Sequence, residues 1–471
     1  MNELTINLNV KSRTPLYEQI YSYIKNDIQK SALKSGERLP STRALSKHLD
    51  VSRSTVELAY EQLLSEGYIE SEPYKGFFVA EIDELYQLKP ASRELSFPEQ
   101  KKKEEKYPYD FSPNGVDLKS FPYNTWRKLS KDILTDDKSE LFRLGDSQGE
   151  PGLRNAICSY LHQARGVNCR PEQMIVGAGN DYLLMLLGTI LGQKHRIALE
   201  NPTYKQSYRL FKNLSYEVCT VGMDHRGMIV DELEHSGADI AFVMPSHQYP
   251  LGVVMPLKRR MSLLKWAGEV PGRYIIEDDY DSEFRYKGKP IPALQGYDVN
   301  GKVIYIGTFS KSIAPAIRMS YMILPEPLLE IYYRKSRFMN STVSKVDQMI
   351  LQHFIEDGYF ERHLNKTRAL YKSRHDTLMN CLKPLQDCCS ISGENAGVHL
   401  LLHFHNGMTE EELIEKAKAV GVKIYGLSDY DVRGGEGQDK LQPTILLGYA
   451  NMNEQKIAEA IRLLEKEFVT A

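Results

Sequence analysis

Val303-Ile304-Tyr305-Ile306-Gly307-Thr308-Phe309-Ser310-Lys311-Ser312 runs from an apolar stretch straight into a lysine flanked by hydroxyls. Consecutive apolar residues without polar alternation are what a strand covered on both faces requires. Runs of the same kind recur at residues 174–176, 197–199, 240–244 and 274–276. The segments between them are long enough for crossover helices. The pattern therefore predicts an α/β unit around a mostly parallel sheet. Ligands of open α/β sheets gather at the carboxyl ends of strands, and Lys311 falls at such an end.

A strand-end lysine beside hydroxyls suits a Schiff base with the aldehyde of pyridoxal phosphate, with Thr308 and Ser310 near the phosphate. Arg318, seven residues on, is within reach of the same phosphate. Upstream, Tyr274-Ile275-Ile276-Glu277-Asp278-Asp279-Tyr280 sets carboxylates at the end of another buried run. A carboxylate facing the pyridine nitrogen keeps it protonated. Asp278 is the residue expected there, with Tyr280 donating to the ring's phenolic oxygen. Gly177-Ala178-Gly179-Asn180 follows a third strand and opens a helix, whose N-terminal amides suit a phosphate. Asn201-Pro202-Thr203-Tyr204 follows a fourth, and Tyr204 is placed to stack on the ring. Singly, each piece reads as a surface lysine, a helix cap, a turn or a core tyrosine. Their common place at strand ends is what gives them meaning.

Outward from this unit, residues beyond about 340 are helix-rich with late strands at 398–402 and 445–447, a smaller α+β lobe. The effector unit is expected over 108–471. Residues 81–107 lose aliphatics and gather charge, including Gln100-Lys101-Lys102-Lys103-Glu104-Glu105-Lys106, and read as an exposed linker. Residues 1–80 read as a separate small domain. Pro15 at a first helical position precedes a stripe of Leu16, Ile20, Tyr23, Ile24 and Ile28. Ser41 and Ser52 are N-cap candidates for two further helices, and Gly67 closes the second. Tyr68-Ile69-Glu70 and Phe77-Phe78-Val79 about Pro73-Tyr74-Lys75-Gly76 predict a hairpin.

Two helices and a hairpin make a winged helix-turn-helix, in which the recognition helix presents its N-terminal residues to base edges. Those residues are Ser52, Arg53, Ser54 and Thr55. Arg53 has the fork geometry for guanine and the hydroxyls suit phosphates. Arg43 lies in the first turn of the preceding helix, and Lys75 and Gly76 at the wing tip. Double-stranded DNA is the expected partner. The first 80 residues carry ten Lys/Arg against ten Asp/Glu, so any positive surface must be local.

The segments Pro15 to Ile20, Leu39 to Leu45, Val51 to Val56 and Leu63 to Ile69 resemble the GntR-type DNA-binding domain. Residues of about 110 to 465 resemble the class I aminotransferases of fold type I. Fusion of the two is the signature of the MocR subfamily of transcription regulators. Pro245-Ser246-His247-Gln248-Tyr249-Pro250, Glu277 to Phe284 and Thr308 to Ser312 are similar to its GABA-responsive members. The resemblance implies the roles given above for Lys311, Asp278, Tyr280, Tyr204 and Arg318. It also implies a homodimer arranged head to tail, each head near the partner's body, and paired half-sites on DNA.

The chain departs from that pattern at points that bear on its ligand. Aminotransferases of this class carry Asn-Pro-Thr-Gly where this chain has Tyr249-Pro250-Leu251-Gly252. Their carboxylate-clamping arginine aligns with Leu446, which cannot form a bidentate pair. At the arginines by which GABA-responsive members read a carboxylate, this chain has Gln206 and Asp429. The expected effector is a different amine, an amino acid, a peptide or pyridoxal phosphate itself, acting through Lys311. The alternative is a working aminotransferase with an appended head.

The chain has 471 residues with 60 Lys+Arg and 62 Asp+Glu, a net charge of −2. It is therefore no polycation. An apolar fraction of 42% is that of a globular protein. No run of some 18 apolar residues suits a membrane span, and the N-terminus lacks the pattern of a secretory signal. The six cysteines form no C-x-x-C pair and no zinc spacing. A cytoplasmic protein with free thiols and no metal is expected.

Overall fold

The computed structural model describes residues 6–81, 107–135, 139–286, 288, 290–394, 396–433 and 442–469. Nearly all of the predicted linker lies outside these. The described residues fall into two compact units, divided between residues 104 and 105.

In the N-terminal unit, α1 (Leu16–Gln29) buries Ile20, Ile24 and Ile28 on one stripe. Pro15 stands just before the first helical residue rather than within the first turn. Ser41 caps α2 (Thr42–His48) by accepting from Ala44 N, and Ser52 caps α3 (Arg53–Ser65) by accepting from Thr55 N. Strands β1 (Ile69–Glu72) and β2 (Gly76–Val79) pair antiparallel, with Ile69 opposite Val79 and Glu72 opposite Gly76. Tyr60, Leu63, Ile69 and Val79 join the stripe of α1 in one core.

The second unit is built on a seven-stranded sheet. Its strands are β3 (Met174–Gly177), β4 (Arg196–Glu200), β5 (Glu217–Val221), β6 (Ile240–Val243), β7 (Tyr274–Asp279), β8 (Val303–Thr308) and β9 (Ser320–Ile323). The spatial order is β3-β9-β8-β7-β6-β4-β5. β9 alone runs against its neighbours β8 and β3. The other six therefore point their carboxyl ends the same way. The interior positions of β3, β6 and β8 are all buried, which is why these strands read as unbroken apolar runs.

A second sheet of β10 (Cys389–Ser392), β11 (His399–Phe404), β12 (Tyr425–Gly426) and β13 (Thr444–Gly448) has the antiparallel order β10-β11-β13-β12. It shares a core with helices Tyr359–Cys381 and Glu454–Val469. Phe111 and Phe284 belong to this core, and Tyr109–Asp110 pairs with Val422–Lys423. The small lobe thus also draws on the start of the unit, which a reading by sequence position places elsewhere. All six cysteines are free thiols. Among the described residues no helix is long and apolar enough to cross a membrane.

Candidate cofactor pocket and DNA-reading surface

One pocket at the carboxyl ends of the strands is lined by Tyr204, Asp278, Tyr280, Thr308, Lys311 and Arg318, together with Asn180, Gln206 and Ser310. Strand alternation selects its carboxylate. Glu277 and Asp279 point to one face. Glu277 accepts the backbone N–H groups of Leu294 and Gln295, both at 2.8 Å. Asp279 pairs with Arg165 at 2.9 Å and accepts from Tyr305 at 2.5 Å. Asp278 points the other way, and among the described residues it accepts from a single amide donor, Asn180 Nδ2 at 3.2 Å. Burial, then the charges of Asp279 and Asp281, push its carboxyl up to about 7. Such a group is stabilised by a cation brought to it.

Lys311 lies three residues past β8. Its Nζ is 3.4 Å from both Pro113 O and Asn114 Oδ1. Burial pulls the amine down to about 8, so roughly a tenth of it is neutral at pH 7, far more than for an ordinary lysine. Thr308 Oγ1 accepts from Ser310 N at 3.2 Å and from Ser320 Oγ at 2.9 Å. The hydroxyl is thereby fixed at the strand end.

Across the pocket, α4 (Asn180–Leu191) begins at Gly179. Arg318 adopts a left-handed φ of 50° and sets Nη2 3.4 Å from Ala178 O and 3.3 Å from Asp181 Oδ2. A Cβ on Gly179 would meet that Nη2 at 2.3 Å, so the guanidinium in this position rests against the bare glycine, whose φ of 93° also favours glycine. Two of the amides expected to take a phosphate are already committed. Ala178 N donates to Thr342 Oγ1 and Gly179 N to Gly177 O. This leaves the first-turn amides of α4, which precede the intrahelical bonds.

The remaining wall is aromatic. Tyr249 meets Tyr204, Tyr280 and Tyr430 edge to face, with centroids 5.8, 5.8 and 5.2 Å apart. Its hydroxyl is 2.9 Å from that of Tyr430. The Tyr280 hydroxyl, expected at the ring oxygen, lies 2.9 Å from His247 Nδ1. Tyr204 donates to Gln206. Asp429 is exposed and outside the lining, and its neighbour Tyr430 makes the contact with the wall. Leu446 packs against Leu401 and Leu427, apolar surroundings that hold no place for an arginine clamp. Sequence reasoning missed Asn114 and Tyr430. Pro113-Asn114-Gly115 carries the composition of a turn, the signal that could have marked Asn114.

Pyridoxal phosphate fits this set. Asp278 lacks a cation that a pyridinium would supply, and Asn180 Oδ1 is buried without a partner. An amine and a guanidinium stand on either side.

In the N-terminal unit, Arg43, Arg53 and Lys75 are all exposed. Arg53 pairs with Glu57 at 2.7 Å and Lys75 with Glu72 at 2.8 Å. The hydroxyls of Ser52, Ser54 and Thr55 bond one another at the helix start, so Ser52 serves as the cap. Gly76 has φ of 113°, and a Cβ there would lie 3.6 Å from Arg38 Nε. Arg38, bridged to Phe78, is an exposed wing cation that no sequence signal announced.

Residues 16–79 match the family of bacterial regulatory proteins, gntR family, and residues 111–464 match aminotransferase class I and II. The uncharacterized HTH-type transcriptional regulator YhdI of Bacillus subtilis (strain 168) is 39% identical over 98% of both chains. The probable rhizopine catabolism regulatory protein MocR of Rhizobium meliloti is 32% identical over 97% of this chain and 94% of its own. The crystal structure of a multiple substrate aminotransferase from Thermococcus profundus superposes with a TM-score of 0.68 at 26% identity. It covers 77% of this chain and 91% of its own.

Proposed function

The chain belongs to the transcription regulators that join a gntR-family DNA-binding domain to an aminotransferase class I and II domain, and from that membership we propose that its pocket senses a small amine through pyridoxal phosphate held at Lys311. When bound, that cofactor supplies an aldehyde that condenses with amines and a ring that withdraws electrons. Lys311 offers the amine. Asp278 holds the proton on the ring nitrogen, and Arg318, Ser310 and the first turn of α4 bind the phosphate. Tyr204 covers the ring face, and Tyr280 donates to its oxygen. The DNA contacts fall to Arg43, Arg53, Lys75 and the backbone at Gly76, with Ser52, Ser54 and Thr55 shaping the start of α3.

The observation that carries this reading is the pairing, in one pocket, of an amine lowered by burial with a buried carboxylate that lacks a cation. Beyond the cofactor, the effector's tail would meet Gln206 and the tyrosine hydroxyls, neutral groups that replace an arginine clamp and so give a carboxylate no bidentate ion pair. Pyridoxal phosphate is itself a second effector candidate, since a relative 30% identical over 97% of this chain is named a pyridoxine biosynthesis transcriptional regulator. The protein acts in the cytoplasm as a head-to-tail homodimer that reads paired half-sites, and a difference in ligand affinity between two conformations shifts its DNA binding.

The test is spectral titration of the purified protein with pyridoxal phosphate, then with amines, followed by DNA-binding assays. A visible band lost in Lys311→Ala, and DNA affinity altered by an amine that moves the band, are expected. A protein that stays colourless refutes the reading. The intact lysine, aspartate and arginine set favours a second reading, an aminotransferase. Sustained turnover at about 1 per second or faster with amino-acid and oxo-acid pairs would establish it.

A further inference from the structure

His247 and Asp281 form a buried pair beside the pocket to which none of the roles above gives a task. Nδ1 of the imidazole is 2.9 Å from Asp281 Oδ2 and 3.1 Å from Oδ1, with the side chains only 2% and 1% exposed. The Tyr280 hydroxyl lies 2.9 Å from the same nitrogen. With Nδ1–H donating to the carboxylate, the Tyr280 oxygen can only share that single hydrogen, which leaves the hydroxyl's own hydrogen able to turn toward the pocket. Asp281 thus fixes the ring, and the ring fixes the hydroxyl.

The opposite side of that imidazole meets the small lobe. A Cβ on Gly397, whose φ is 76°, would lie 2.0 Å from His247 Cε1. The Gly397 carbonyl accepts from Tyr286 at 2.7 Å and Tyr449 at 2.9 Å, so this glycine is tied to the small-lobe core. The His399 ring is 5.4 Å from that of His247, and its Nε2 is 2.8 Å from Pro250 O. Gly252 and Gly393 approach so closely that a Cβ on the first would meet Cα of the second at 2.9 Å. His247 Nε2 is buried here without a hydrogen-bond partner. A polar atom left unpaired in a packed joint is costly, and such sites commonly carry a role.

We infer that His247 is a positioning residue that couples the Tyr280 hydroxyl in the pocket to the seating of the small lobe through Gly397. Packed interfaces respond to small displacements by changing arrangement rather than by stretching. Ligand contact with Tyr280 therefore biases the small lobe, and movement of the lobe alters the contact. This rests on the cofactor reading above and specifies how occupancy of the pocket leaves it.

The experiment uses the full-length protein loaded with pyridoxal phosphate and compares wild type with His247→Phe, His247→Asn, Tyr280→Phe and Gly397→Ala. Two readouts are followed: the pH midpoint of the bound-cofactor spectrum, and hydrogen exchange over residues 396–404 with and without cofactor. His247→Phe is expected to raise the midpoint by about one unit, as Tyr280→Phe does, because a donor to the ring oxygen is lost. It should also abolish cofactor-dependent protection of 396–404. Asparagine, whose amide nitrogen can take the place of Nδ1, is expected to restore both in large part. Gly397→Ala, made wholly from the small-lobe side, should shift the spectrum. A wild-type spectrum and wild-type protection in either His247→Phe or Gly397→Ala overturns the inference, as does an asparagine variant as altered as the phenylalanine one. Should His247→Phe fail to fold, His247→Asn and Gly397→Ala decide: an unshifted midpoint in Gly397→Ala refutes the coupling. Absence of any cofactor band in wild type refutes the cofactor reading instead.

Discussion

Asp181 Oδ2 stands 3.3 Å from Nη2 of Arg318 at the mouth of the pocket, in the first turn of α4. The carboxylate occupies the guanidinium proposed above to bind the phosphate. Both side chains are more than half exposed, so solvent screens the pair and its worth is small. Removing the negative charge should nonetheless favour an incoming dianion. Asp181→Asn is expected to tighten pyridoxal phosphate binding by about threefold to tenfold at low salt, and to leave pyridoxal, which lacks the phosphate, unaffected. Titration of the apoprotein with both compounds checks this. An equal gain for both would show that the carboxylate does not act through the phosphate.

Much of this architecture is legible in the sequence, for reasons particular residues make plain. Strands β3, β6, β7 and β8 are visible because both faces are covered, and unbroken apolar runs have few other uses. Lys311, Asp278 and Tyr204 are legible because each follows such a run. Proximity in space across distant segments is not written in any one stretch. Asn114 reaches Lys311 from 197 positions away, and Tyr430 meets Tyr249 across 181. Asp429 lies in an irregular stretch, where a shift of one residue changes which side chain faces the pocket. Hydroxyls at the start of α3 look like phosphate donors in sequence, but the unsatisfied amides of a helix start claim Ser52 first.

Lys311 gives a pH dependence of definite sign. Its amine is lowered from the usual lysine range to about 8 by burial. Only the neutral form attacks an aldehyde. The rate at which the apoprotein captures pyridoxal phosphate should therefore rise with pH and level off above about 8, more than two units below an ordinary lysine. Stopped-flow absorbance across pH 6–11 tests it, and a midpoint near the ordinary lysine value would contradict the burial argument. By linkage, the unfolded chain binds this proton more tightly than the folded one, so the group adds stability as pH rises from about 8 to the lysine range.

Asp278 should show opposite effects on the empty and loaded protein. Burial raises its folded value to about 7, so the unfolded chain gives up this proton at lower pH. Its burial therefore costs stability progressively between about pH 4 and pH 7, and in full above that. Asp278→Asn removes the cost, and the apoprotein is expected to gain roughly 2–4 kcal/mol at pH 8. The same change removes the partner of the ring nitrogen and should weaken pyridoxal phosphate at least about tenfold. Thermal melts with and without cofactor separate the two. Destabilisation of both forms would mean that the carboxylate is held by the fold rather than reserved for a ligand.

The DNA-reading surface makes a different kind of prediction, because its two best-placed cations are held by neighbouring acids. Arg53 must leave Glu57, 2.7 Å away and one helical turn on, to form a bidentate contact with guanine. Arg53→Ala should cost about 1–3 kcal/mol and relax the preference at one base position in each half-site. Glu57→Ala should instead strengthen binding to specific and random duplexes alike, since it frees a cation and removes a repelling charge. Lys75, whose partner is Glu72 in the wing, is proposed to meet the phosphate backbone along the groove rather than a base edge. Lys75→Ala should weaken both duplexes equally and lower the slope of log affinity against log salt by about one per half-site. Fluorescence anisotropy with a selected operator and a scrambled duplex at several salt concentrations distinguishes these outcomes. If Arg53→Ala weakened both duplexes to the same degree while Lys75→Ala relaxed the sequence preference, the assignment of helix to bases and wing to backbone would have to be reversed.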